Sequence, residues 1–382
     1  MSITNPTLFT AQLKCPSVFS CHYSPPDLIV FGGENGFCEV FRLHDSELHQ
    51  VFSYQAGRSV NSVRFSPSGS LLALGLSGGA VEVIDNTGER KYSRQIHQAR
   101  EVGKRVSKLE EHCFDVNWID DTTVLSAGTD EKVFIWKIGT HDTLNGIGGK
   151  LDFSMVNSLC VDRLNPDIVV ARCSTCIVAF DTSRTINSAG DLIACFGERV
   201  PAGAHREDGR NTHFMENGFH IRGGLSSDSK FYLSPSSRNP WNQQSCTLVL
   251  DRSLTFVMAS ILIPRNEDST VAAFCPVTIP LPPDVESALP GAEDLYLFAI
   301  GTQTNLLLYT SIQMAPILAV HTDSPITDLC WICSDEFYTV VATSLEGKVF
   351  LLNIPPLFSP GETVVREKNH NFPEDEELHN QE

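Results

Sequence analysis

The chain has 382 residues, 42% of them apolar, and a formal net charge of −18. The apolar share is ample for a core, while the acidity argues against direct binding to nucleic acid, whose phosphates call for concentrated Lys and Arg. No run approaches the roughly 18 apolar residues that span a bilayer, and the start MSITNPTLF lacks the basic and apolar regions of a signal peptide. Its 12 cysteines, scattered without framework spacing, point to a reducing compartment, cytosol or nucleus.

Short apolar runs separated by turn residues fill the chain, a pattern that favours strands over helices. TLFTAQLK comes first, an isolated strand. Val18 to Leu43 then gives VFSCHYSP, LIVFGG, a turn at Asn35-Gly36, and FCEVFRL. Ser59 to Asp85 is the clearest unit, with VNSVRF, the turn Ser66-Pro67-Ser68-Gly69, LLALGL, the turn Ser77-Gly78-Gly79, and AVEVID. Cys113 to Lys137, Val156 to Asp181 and Ile326 to Ile354 repeat the plan. Two intervals between repeat starts are about 42 residues, the period of four-stranded propeller blades. HIRGGLS, KFYLSP and CTLVLDRS supply one further blade, and TVAAFCPVTIP, DLYLFAIG and NLLLYTS another.

The expected fold is therefore all-β, a seven-bladed propeller with divergent repeats over 1–356. Its blades lie near 18–43, 59–85, 113–138, 155–181, 219–252, 270–311 and 326–354. The N-terminal strand closes the ring onto the last blade and removes the open edge. A ring of this kind is one domain, because each blade buries its faces against its neighbours. Residues 357–382, ending PEDEELHNQE, form an acidic tail too poor in apolar residues to fold alone. Three insertions interrupt the repeats: a charged one at 87–111, one at 192–219, and LPPDVESALPGAED at 281–294, which reads as a disordered loop.

Motifs with catalytic overtones have plainer readings. Gly75-Leu76-Ser77-Gly78-Gly79 fits the nucleophile-elbow pattern, but that chemistry needs a helix after the turn and here a strand follows. Cys173/Cys176 and Cys330/Cys333 are C-x-x-C pairs on different blades, expected as core cysteines rather than as one zinc site. His112 and His321 precede blade starts, and His321 has the better offset for a hydrogen bond within its blade. No phosphate-cradling loop or acid–base pair is visible, so no enzyme activity, cofactor or metal is expected.

One surface is suggested. Turns between second and third strands share a face with the loops that enter the blades. Glu34, Asp130, Glu131 and Glu346 occupy such turns, and Glu110, Glu111 and Asp323 such entry loops. Acidic residues suit turns in any case; together they would give an acidic rim for a basic partner.

Ile135-Trp136-Lys137 resembles a WD-repeat blade ending. From Phe219 onward the likeness sharpens. SDSKFYLSPSS, CTLVLDRS, VAAFCPVTIPL, DLYLFAIGTQTNLLLYTS and PITDLCWICSDEFYTVVATSLEGKVFLL resemble, in order, the closing blades of the WD-repeat subunit family of chromatin assembly factor 1. Cys275-Pro276-Val277, an insertion, and then LFAIGTQTNLLLYTS is similar to a distinctive feature of that family. The resemblance implies a non-enzymatic nuclear subunit of a histone H3–H4 chaperone, with the complex's large subunit and a histone-binding WD-repeat subunit as partners. Many members bind the anti-silencing chaperone Asf1 through a basic motif after the propeller. This tail has only Arg366 and Lys368 before it turns acidic, a departure from that pattern that puts Asf1 binding in doubt. A HIRA-type chaperone subunit, or a WD40 adaptor in ubiquitin ligation, trafficking or RNA processing, would use the same ring.

Overall fold

The computed structural model describes residues 6–44, 47–98, 111–139, 143–148, 155–174, 176–184, 192–197, 221–238, 245–264, 267–281, 285–334, 337–355 and 357. They form seven four-stranded antiparallel sheets, each a blade of a ring. Blade 1 runs Val18–Ser24, Leu28–Gly33, Phe37–His44, Glu47–Gln55, and blade 2 Val60–Phe65, Leu71–Leu76, Ala80–Asp85, Arg90–Gln95. Blade 3 is Cys113–Asp120, Thr123–Gly128, Lys132–Lys137, Thr143–Gly148, and blade 4 Val156–Val161, Ile168–Cys173, Cys176–Asp181, Ala194–Gly197. Blade 5 is Gly224–Leu225, Phe231–Arg238, Ser245–Asp251, Val257–Leu262, and blade 6 Ser269–Phe274, Leu297–Thr302, Asn305–Thr310, Pro316–His321.

Blade 7 takes Ile326–Cys333, Tyr338–Ser344 and Lys348–Ile354 from the end of the ring and Thr7–Gln12 from its beginning. Thr7 pairs with Asn353 and Gln12 with Lys348, so the expected closure by the N-terminal strand is what the structure shows. It pairs the outer edge of Lys348–Ile354 and ties the beginning of the ring to its end.

Why these residues make blades is visible in blade 2. Leu72, Leu74 and Ile84 turn one way and pack with Val30, Val40, Val60 and Val63, between blades 1 and 2. Ala73, Val81 and Val83 turn the other way, onto Val116, Trp118 and Trp136 of blade 3. Both faces are buried, so the strands read as continuous apolar runs, each large side chain contributing about 1.5–3 kcal/mol by burial. The Ser77-Gly78-Gly79 turn needs its glycines. Gly78 and Gly79 have φ of +93° and +79°, and a Cβ on Gly79 would stand 2.1 Å from the His97 carbonyl oxygen.

The insertion at 281–294 departs from the expectation of a disordered loop over its described residues. Ile279–Pro280 pairs with Asp294–Leu295, and the amide of Ala288 donates to the Ser311 carbonyl at 2.7 Å. Leu289 is buried among Phe231, Phe274, Tyr296 and Phe298. One leucine inside the acidic stretch anchors it to the aromatic cluster between blades 5 and 6. The blade 5 entry is shorter than expected, and 198–220 and 358–382 lie outside the described residues.

Candidate interaction faces and the axial network

The first strands of the blades line the axis and run in the same direction, so each blade places equivalent residues at the same height. The amide of Val63 donates to Ser20 Oγ at 3.2 Å, and that of Phe65 to His22 Nδ1 at 3.1 Å. Turns between second and third strands therefore share an upper face with the blade entries. Connections between first and second, and third and fourth, strands share a lower face.

Two arginines and two aspartates occupy the axis. Arg222, entering blade 5, donates to Asp328 of blade 7, to Ser20 Oγ of blade 1 at 2.9 Å, and to the Asn61 carbonyl of blade 2 at 2.8 Å. Arg64 of blade 2 lies 3.4 Å from Asp328 and 3.6 Å from Asp115 of blade 3. Asp115 accepts from Ser62 Oγ at 2.6 Å and from the Leu159 amide of blade 4 at 2.8 Å. Burial alone raises the Asp328 carboxyl, but Arg222 and Arg64 outweigh it and hold the carboxyl below its usual range. The charges cancel, and their donors and acceptors face each other across six blades. Such a network orders the ring.

The expected acidic residues distribute unevenly. Asp323 and Glu346 are exposed on the upper face of blade 7, where Lys348 stands between them at 3.4 Å and 3.6 Å. Glu34 on blade 1 and Glu111 and Glu131 on blade 3 are half-buried. Glu111 accepts from Gln95 Nε2 at 3.2 Å. Glu110 lies outside the described residues. Asp130 is not on the rim: it is 6% exposed, and Oδ1 sits 2.8 Å from His97 Nδ1. An aspartate in a tight turn beside a buried imidazole satisfies that ring rather than a partner. The structure brings together Asp323 and Glu346 on blade 7, with Glu34 apart on blade 1 and Glu111 and Glu131 on blade 3.

His97 is the residue that sequence reading missed, because it lies inside the 87–111 stretch read as a charged insertion, of which Arg90–Gln95 is in fact the last strand of blade 2. Its Nε2 faces Ser126 Oγ at 3.1 Å, and its ring packs edge-on against Phe134 at 5.2 Å. His112, assigned no such role, is half-buried and stacks on Phe114 at 5.6 Å. His321, expected to bond within its blade, is exposed and its side chain makes no hydrogen bond among the described residues. The pairing explains why. Gln12, Gln55 and Gln95 each face the first residue of a third strand and donate Nε2 to a turn carbonyl, and His321 holds that register opposite Asn305.

Ser77 lies on the hairpin turn, its hydroxyl donating to Asn61 Oδ1 at 3.2 Å, with strand Ala80–Asp85 next. That is no nucleophile elbow. Cys173 and Cys176 lie against each other in blade 4, whereas Cys333 faces Cys275 of blade 6, at 3.5 Å between sulfurs. Among the described residues, no three His, Cys, Asp or Glu side chains converge as a metal site.

The lower face has a different character. Leu164, Phe256, Val277 and Phe337 are exposed there, on connections of blades 4, 5, 6 and 7. Leu164 and Phe256 are 64% and 66% exposed. The other exposed large apolar side chains (Leu8, Phe9, Val51, Ile193 and Leu262) lie on or beside outermost strands. Four exposed apolar side chains thus share this face, one on each of four neighbouring blades, and no charge pattern on the sequence disclosed them.

Residues 21–121 match the protein-family model described as the anaphase-promoting complex subunit 4 WD40 domain. The chain is 24% identical over 303 residues to a chromatin assembly factor 1 subunit FAS2 homolog of Oryza sativa subsp. japonica, covering 75% of this chain and 58% of that protein. It is 24% identical over 315 residues to a chromatin assembly factor 1 subunit of Mus musculus, covering 75% of this chain and 54% of that protein. The chain thus spans a little over half the length of these curated relatives. With seven blades closed by the N-terminal strand, it is a WD40-type propeller similar in sequence to subunits of chromatin assembly factor 1.

Proposed function

We propose that the chain is a non-enzymatic scaffold subunit of a nuclear histone H3–H4 chaperone complex of the chromatin assembly factor 1 type, acting in replication-coupled nucleosome assembly. The observation that carries this reading is the likeness to two such subunits, from a plant and a mammal, across three quarters of the chain. The axial network supports it, since Arg64, Arg222, Asp115 and Asp328 are spent on one another inside the ring. On this reading the apolar lower face of blades 4–7 receives the large subunit, which also brings in the histone-binding WD-repeat subunit. The acidic residues of the upper face, Asp323 and Glu346 foremost, face the basic histones.

A second reading has its own observation. The family-model match over 21–121 favours a scaffold in a different multisubunit assembly, with blades 1 and 2 as the shared feature. Imaging a tagged chain through the cell cycle separates the two. Nuclear enrichment that peaks in S phase is the expected result, and steady cytoplasmic localisation would contradict it.

A further inference from the structure

Three pairs of cysteines stand sulfur to sulfur in this ring. Cys21 lies against Cys330 between blades 7 and 1, Cys173 against Cys176 within blade 4, and Cys275 against Cys333 between blades 6 and 7. Both members of the first two pairs are buried. The third differs: Cys275 is buried, but Cys333 is half-exposed on the lower face.

The backbone around the third pair fixes the approach of its sulfurs. Cys333 ends the first strand of blade 7, and Cys275 directly follows the first strand of blade 6, its amide donating to the Leu297 carbonyl at 2.8 Å. Two residues back on each strand, Trp331 Nε1 donates to the Ala273 carbonyl at 3.1 Å. That bond ties the two strands together one side-chain period above the sulfurs. Trp118 makes the same bond to Arg64 across blades 3 and 2, at 2.9 Å. There the residues two further along are Asp120 and Ser66, so the sulfur pair belongs to one junction and not to the frame.

The two thiols are also unequal. The hydrogen bond from Cys275 holds the Cys333 thiol below its usual range, with help from the Arg163 guanidinium and against burial. The same bond, with burial, pushes Cys275 up. Cys333, half-exposed on the lower face, is the sulfur an oxidant reaches first, and buried Cys275 is placed as its resolving thiol.

We infer that Cys275 and Cys333 are a modification site, a thiol pair that hydroperoxides convert to a disulfide bridging blades 6 and 7. The Cys333 thiolate attacks one peroxide oxygen, forming an S–O bond as the O–O bond breaks and hydroxide leaves to become water. The Cys275 sulfur then attacks the Cys333 sulfenic acid, the S–O bond breaks, and a second water carries away the Cys275 proton. The cysteines lose two electrons and the peroxide gains them. The sulfurs need only close from 3.5 Å to about 2.05 Å. Reduction by a dithiol reverses the step. The inference does not rest on the chromatin reading, and it places the bridge on the same lower face as Val277 and Phe337.

The test is oxidation of the purified full chain by stoichiometric hydrogen peroxide, followed by alkylation, digestion without reductant and mass spectrometry. The expected product is a Cys275–Cys333 cross-linked peptide, lighter by two hydrogens, formed while Cys21, Cys38, Cys173 and Cys246 remain alkylatable. In Cys275→Ser, Cys333 should stop at the sulfenic acid and be trapped by dimedone. In Cys333→Ser, the cross-link should be lost and Cys275 should stay a thiol. The inference is overturned if both cysteines remain alkylatable while other thiols oxidise. It is equally overturned if Cys333 bridges only to a second molecule. The measurement on the unsubstituted chain decides this even if a variant folds poorly.

Discussion

Asp130 Oδ1 lies 2.8 Å from Nδ1 of His97, a residue 33 positions earlier that has just left the last strand of blade 2. The pair pins the exit of blade 2 onto the second-to-third-strand turn of blade 3. A Cβ on Gly128 would stand 2.8 Å from the His97 ring, so the glycine there makes room for the imidazole.

Removing the carboxylate leaves a buried ring nitrogen without its acceptor. Asp130→Ala should therefore lower stability by about 1–3 kcal/mol, with partner binding intact at temperatures where the chain stays folded. Urea unfolding followed by partner capture checks both halves. Unchanged stability with lost binding would return Asp130 to the interaction surface.

The axial network makes a larger demand. Asp328→Asn leaves Arg222 and Arg64 facing each other with Asp115 alone to balance them. Breaking a buried ion pair from one side costs about 3–5 kcal/mol. Denaturant midpoints should show a loss of that order, and a double-mutant cycle with Arg222→Met should show strong coupling. Additive effects would mean that the two residues stabilise the ring independently.

His22 gives a pH signature. Its Nδ1 accepts the Phe65 amide, and burial, reinforced by Arg64, lowers its pKa from 6.5 to about 3. Below pH 6.5 the unfolded chain takes up a proton that the folded chain refuses, so stability from this group falls with pH down to about 3 and is then fully lost. His22→Asn keeps an acceptor without titrating. Relative to it, the native chain should lose stability more steeply between those limits, by up to one proton's worth of slope. Parallel curves would show that His22 titrates normally.

The two faces should be separable by substitution. Asp323→Lys with Glu346→Lys should weaken histone capture while sparing the large subunit. Phe256→Ser with Val277→Ser and Phe337→Ser should do the reverse. Surface changes of this kind move stability by roughly ±0.5 kcal/mol, so thermal unfolding serves as the control. Loss of both partners from either set would contradict the division.

Much of the ring was legible in the sequence because a blade is a local object: alternating or continuous apolar runs, with glycine at turns such as Gly78-Gly79 that take positive φ. The closing strand was legible for the same reason, as a strand left over. What the sequence concealed depends on distance. Arg222 finds Asp328 across 106 positions and Asn61 across 161, and nothing local marks any of them as partners. Asp130 looked like rim chemistry because aspartate suits turns; its imidazole lay inside a stretch read as an insertion. Cys330/Cys333 drew attention as a spaced pair, whereas Cys333 pairs with Cys275, 58 positions away. The apolar lower face arises from single residues on four connections, each unremarkable alone.

The most direct measurement is affinity purification of the tagged chain from dividing cells, with the bound proteins identified. The expected result is recovery of a large, charge-rich chromatin assembly subunit together with histones H3 and H4. A HIRA-type complex in its place would move the chain to replication-independent deposition. Components of an unrelated assembly without histones would contradict the scaffold role in chromatin assembly and leave the seven-bladed ring as the part that stands.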